Sequence, residues 1–186
     1  TVCQSLYLSK EPSNVNIHRL LALACLVTPL AAIGAPELNV GALYDYLDSG
    51  KSTLLKRVRN GGDTTAFVKV SVAELVYDTD GNAREVDTEG MPLEQRGLVA
   101  SPARLIVPAQ GMQAVRLVYR GQRDAERYFR LRFVPVLPEL GDGFAVDEGE
   151  AERYRNSLKV GVNLLAGYGT LLFVRPGETR FQTSVQ

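Results

Sequence analysis

The 186-residue sequence contains no tryptophan, two methionines, two cysteines and a single histidine. Both cysteines (Cys3, Cys25) and the histidine (His18) lie within the first 25 residues. Any mature chain that loses this segment has no thiol for a disulfide or a structural zinc site. It also has no imidazole, which excludes every catalytic triad built on a histidine base. Charge of one sign is missing too. Twenty-one basic residues balance twenty-one acidic ones, so there is no electrostatic reason to expect nucleic acid or an anionic membrane as partner. No Gly-rich phosphate loop stands between a strand and a helix, and there is no internal repeat. These absences leave a protein with no cofactor, no metal and no small-molecule substrate, and one that is not an enzyme.

What is present begins with an export pattern. Asn16, His18 and Arg19 precede the apolar run 20–27, Thr28 and Pro29 interrupt it, and small residues close it at 30–35. A basic region, a short apolar stretch and small residues make a secretory signal peptide. Cleavage after Gly34 would place Ala32 and Gly34 at the recognition positions. The run is short for a bilayer span and carries a proline. Residues 1–34 are therefore read as an N-terminal extension and signal peptide, and the mature chain as exported.

From Pro36 onward the hydrophobic period is two, the period of a strand. Strands are expected at 38–44, 53–58, 67–77, 103–108, 114–119 and 128–134, with a long final segment from Leu158 to Val174. Asp78–Asn82 reads as a turn rather than a calcium loop, because the glutamate and flanking helices of an EF-hand are lacking. Residues 83–97 and 135–156 read as loops, the latter with a solvated acidic run. About seven strands at this spacing predict an all-β, immunoglobulin-like seven-stranded sandwich over residues 35–178.

Two features are candidates for binding. Leu158, Val160, Val162, Leu164 and Ala166 recur at every second position, so a strand turns them to one face. They form either an ordinary core strand or an association surface that extends beyond its own sandwich. Arg116, Arg130 and Arg132 alternate with apolar neighbours. They form either a solvated outer face or a patch that takes a carboxylate through charge-assisted hydrogen bonds. Leu172 and Phe173 are both expected to point inward.

Three stretches carry a family likeness: Ser101-Pro102-Ala103-Arg104-Leu105-Ile106-Val107-Pro108 leading through Gly111 to Val115-Arg116-Leu117; Tyr128-Phe129-Arg130-Leu131-Arg132-Phe133-Val134-Pro135; and Leu171-Leu172-Phe173-Val174-Arg175-Pro176. In order and spacing, over about 140 residues, they resemble the subunit-binding domain of periplasmic pilus-assembly chaperones of the chaperone–usher pathway, in the alternate variant that serves CS1-like fimbriae. The resemblance implies a periplasmic protein that binds pilus or fimbrial subunits and meets an outer-membrane usher. It implies donor-strand complementation, in which the chaperone's last strand fills the open groove of a subunit that lacks its own. It also implies a carboxylate anchor made from a base in the first strand and another near the end of the last. Here those stretches, 40–44 and 169–171, hold none, so the anchor is expected among Arg132, Arg116 and Arg130. Arg175 matches a family arginine at the junction with a second domain. Residues 179–186 are read as the start of a linker to a second domain that this chain lacks. The competing reading is a secreted sandwich acting as an adhesive or carbohydrate-binding module, which would need exposed aromatics on one face.

Overall fold

The computed structural model describes residues 35–139, 141–157 and 166–178. The proposed signal segment and residues 158–165 lie outside that range. Ten strands occur among the described residues, in two sheets. The four-stranded sheet runs β1 (Leu38–Asn39), β3 (Thr53–Asn60), β8 (Met112–Tyr119), β6 (Leu98–Ser101). The six-stranded sheet runs β2 (Tyr44–Leu47), β10 (Tyr168–Val174), β9 (Arg127–Pro135), β4 (Ala66–Tyr77), β5 (Ala83–Asp87), with β7 (Arg104–Val107) also paired to β4.

Alternation dictates the core. In β9, Phe129, Leu131 and Phe133 are wholly buried, while Arg130 and Arg132 between them are half-buried on the other face. In β8, Val115, Leu117 and Tyr119 point inward. These side chains meet Val58, Val68, Leu98, Val107, Leu172 and Val174 between the sheets. The expected sandwich is therefore borne out. Buried Asn60 ties its lower end. Its Oδ1 accepts from the Glu37 and Gly62 amides at 3.1 and 3.0 Å, and its Nδ2 donates to the Thr64 carbonyl at 2.7 Å.

The strand count departs from seven for identifiable reasons. The single first strand expected at 38–44 is two strands in different sheets. The chain crosses at Gly41, whose φ of 72° suits glycine. β6 is also unexpected, a four-residue strand with one fully buried side chain, Leu98. The expected loop at 83–97 contains β5, which pairs antiparallel with Ala73–Tyr77. As a polar edge strand it buries little, so it shows no hydrophobic alternation.

The expected loop at 135–156 contains helix α1 (Glu148–Ser157). Asp147 caps it, its Oδ1 accepting from the Glu150 amide at 2.7 Å. Ala151 and Tyr154 are its buried residues. Tyr154 and Phe144 pack edge-on against Phe67, with ring centres 4.7 and 5.4 Å away. The Asp78–Asn82 turn is as expected: the Asp78 carboxylate accepts from the amides of Asp80 and Asn82 at 3.0 and 2.8 Å.

Candidate functional site: an open edge beside two arginines

β10 is paired along its whole length with β9, Tyr168 opposite Phe133 through Val174 opposite Arg127. On its other side β2 pairs in parallel only from Leu171 to Val174. Among the described residues, no strand pairs with that side of Tyr168–Thr170. Unpaired backbone amides and carbonyls at a strand edge are a template for another chain.

An open cleft of about 520 Å³ lies at this edge, lined among others by Leu43, Tyr44, Leu171, Gly169, Arg130 and Arg132. The register explains its shape. Leu171 stands between Tyr44 and Arg130, and Gly169 stands beside Arg132. A Cβ at Gly169 would meet nothing within 4 Å, so the floor beside Arg132 is open space.

The two arginines share one carboxylate. Arg130 Nη1 and Arg132 Nη2 both donate to Glu85 of β5. The hydrogen bond from Arg132, with the charge of both guanidinium groups, holds the Glu85 carboxyl below its ordinary value. Arg116 does not join them. It stands on β8 in the other sheet, opposite Leu55 and Ser101. Of the three arginines singled out in the sequence, the structure brings together Arg130 and Arg132.

One cleft wall is held from behind by a buried charge. Lys56, 4% exposed, points inward from β3. Its ammonium donates to the Ala42 carbonyl and lies 2.6 Å from the Asp45 carboxylate. It therefore pins the segment that crosses between the sheets, from which the Leu43 carbonyl accepts the Leu171 amide at 2.8 Å.

Leu158, Val160, Val162 and Leu164 lie outside the described residues. Ala166 is exposed, two residues before β10. The final strand expected from Leu158 is thus described as a strand only from Tyr168. Phe173 corrects a second expectation. Leu172 is buried in the core, but Phe173 is on the outer face, stacked on Tyr46 at 5.0 Å and edge-on to Tyr128 at 5.6 Å. Odd and even positions of one strand face opposite ways, so both could not point inward. Arg175 bonds Asp48 at 3.0 Å and lies over the Tyr46 ring.

No family model matches the chain. Curated proteins do. A probable fimbrial chaperone, EcpB, of Klebsiella pneumoniae is 27% identical over 165 residues, covering 88% of this chain and 66% of its own. Its namesake in Escherichia coli O157:H7 is 28% identical over 163 residues, covering 87% and 66%. The chain is similar to these fimbrial chaperones. It spans just under two thirds of the length of these chaperones. Among solved structures, the class 5 fimbriae chaperone CfaA superposes with a TM-score of 0.60 at 20% identity, over 78% of this chain and 59% of that one. The CsuC–CsuE chaperone–tip adhesion subunit complex of Acinetobacter baumannii superposes at 0.53 and 16%, over 75% and 57%. These likenesses bear out the chaperone resemblance and the fold. The relatives carry the name of chaperones, not of an enzyme.

Proposed function

We propose that this domain is a periplasmic chaperone module that captures pilus subunits, lending residues 158–166 as a donated strand. The observation that carries the reading is the edge of β10. Its pairing with β2 stops at Leu171, and the segment with the two-residue apolar period enters β10 from that unpaired end. A subunit strand running along this edge gains main-chain hydrogen bonds, while Leu158, Val160, Val162, Leu164 and Ala166 fill its groove.

Arg130 and Arg132 anchor the terminal carboxylate of the subunit. The bases missing from 40–44 and 169–171 are replaced from the neighbouring strand, since Arg130 is the register partner of Leu171. A planar guanidinium suits a carboxylate in two-point contact. The chaperone of the CsuC–CsuE structure is captured with a tip adhesion subunit, which supports a subunit as partner here.

The test is co-expression in a bacterial periplasm with a pilin lacking its last strand, followed by purification through a tag on the pilin. The domain co-purifies if the reading holds. A pilin recovered alone, with the domain soluble and folded in the same extract, overturns it.

The carbohydrate-binding alternative has one observation in its favour. Tyr44, Tyr46 and Tyr77 are 60%, 52% and 49% exposed on one sheet face. Ring geometry speaks against it. The face of Tyr46 is covered by Phe173 on one side, inclined by 19°, with the Arg175 guanidinium 5.3 Å from the ring centre. Tyr77 meets Tyr128 at 77°. Sugar stacking needs free, roughly coplanar ring faces, whereas Tyr46 and Tyr77 are engaged by Phe173 and Tyr128, and Tyr44 is tilted by 44° against Phe173 at 6.3 Å.

A further inference from the structure

We infer that Glu85 is an internal stand-in for the ligand carboxylate, so that a bound chain end must take Arg130 and Arg132 from it. This rests on the subunit-capture reading and adds a residue that sets the strength of its anchor.

The case is one of placement. Arg130 stands in register between Ala73 of β4 and Leu171 of β10, and Arg132 between Ser71 and Gly169. Each guanidinium can therefore lean two ways. On the β4 side the neighbours are small, and Glu85 lies beyond them on β5, opposite Leu75. On the β10 side lies the open floor over Gly169, where no carboxylate stands among the described cleft residues. Both arginines lean toward β5, and both donate to the one Glu85 carboxylate.

A carboxylate arriving at the β10 edge finds the guanidinium groups held over β4. It gains their hydrogen bonds only as they turn toward Gly169 and release Glu85. All three side chains remain partly exposed, with 41%, 39% and 32% of the Arg130, Arg132 and Glu85 side chains accessible. Turning them therefore needs no repacking of the core. It exchanges one carboxylate for another and leaves the arginine count unchanged. A ligand without a terminal charge takes no part in that exchange, so Glu85 weakens the capture of a charged chain end and leaves an uncharged ligand unaffected.

The test uses the full chain and a synthetic ten-residue peptide of alternating valine and threonine, made with a free C-terminal carboxylate and as its amide. Affinities are measured at low salt for the unaltered protein, Glu85→Gln and Glu85→Asp. Removing one unit of negative charge beside the site is expected to tighten the carboxylate peptide about five-fold and leave the amide unchanged. Glu85→Asp, which keeps the charge on a shorter arm, should fall between. In the unaltered protein, carbon-13 NMR should show the Glu85 carboxyl titrating closer to its ordinary value once the carboxylate peptide is bound. This second readout needs no variant. If the unaltered protein prefers carboxylate to amide but Glu85→Gln binds it equally or more weakly, the stand-in role is overturned while the anchor survives. If carboxylate and amide bind alike, and Arg130→Gln and Arg132→Gln change neither, the anchor itself falls and Glu85 with it.

Discussion

At the scale of single residues, the most consequential side chain outside the cleft is Lys56. Its β3 neighbours in the inward row are Leu54, Val58 and Asn60, and its ammonium is satisfied by Asp45 and the Ala42 carbonyl. A buried ion pair adds little net stability, but breaking it from one side strands a charge. Asp45→Ala should cost about 3–5 kcal/mol in urea unfolding, because Lys56 is left without its counter-ion. Lys56→Met keeps the volume and removes the buried charge, while the Asp45 side chain is 16% accessible and can still reach water. It should cost under about 1.5 kcal/mol. Equal costs for the two variants would show that Lys56 is solvated. Asp45 sits across the sandwich from Lys56, and no local sequence signal joins the two.

Tyr154 gives a second residue-scale expectation. Burial raises its phenol from about 10 to about 12. Between those values the unfolded chain gives up the proton and the folded chain keeps it. The stabilisation is therefore complete below pH 10 and is lost as pH rises toward 12, by at most about 2–3 kcal/mol. Chemical unfolding at pH 9 and pH 11.5 should show this loss, and Tyr154→Phe should remove much of it. An unaltered slope in Tyr154→Phe would assign the alkaline sensitivity to other groups.

At the scale of elements, the strands were legible wherever one face is buried and the other wet. β3, β4, β8 and β9 all lie within a few residues of their expected spans. Elements that bury little were not. β5 is an edge strand with no fully buried residue, and α1 buries only Ala151 and Tyr154 among its described side chains, so neither carries the periodicity of its type. The signal that could have found α1 is its start. Asp147 with Glu150 three residues on has the spacing of a capping box, and Arg155 complements the dipole at the last turn. Asp147→Ala should weaken the helix by about 1 kcal/mol, read as faster amide exchange over 148–157 with the sandwich unchanged. Faster exchange across the sheets as well would mean that the helix is integral to the core. The site divides the same way. Arg130 and Arg132 stood out as bases in an apolar strand. Glu85 escaped notice because its meaning arises only when β5 folds beside β4 and meets Arg130, 45 residues away in sequence.

At the scale of the whole molecule, the two halves of the candidate site answer to different physics. The proposed anchor is a pair of partly exposed charges, and its contribution would be screened by salt. The proposed donated segment is apolar in sequence, and each of Leu158, Val160, Val162 and Leu164, if buried in a subunit groove, would contribute on the order of 1.5–3 kcal/mol. A backbone hydrogen bond nets about 1 kcal/mol, so several such side chains outweigh the pairing of the main chain. Affinity should therefore rest on the strand, and the arginines should govern register and selectivity. Val162→Asp and Leu164→Asp are expected to abolish capture of a strand-deficient pilin while circular dichroism and thermal unfolding stay near those of the unaltered domain. Leu172→Asp places an unpaired charge in the middle of the core, between β9 and β2, and should unfold the domain outright. Phe173→Asp, on the outer face, should retain the fold and lose the ring contacts with Tyr44, Tyr46 and Tyr128. The comparison requires a pull-down and circular dichroism on the same four proteins. Loss of fold in Val162→Asp and Leu164→Asp, matching Leu172→Asp, would make residues 158–166 part of this domain's own core and leave the subunit without a donor.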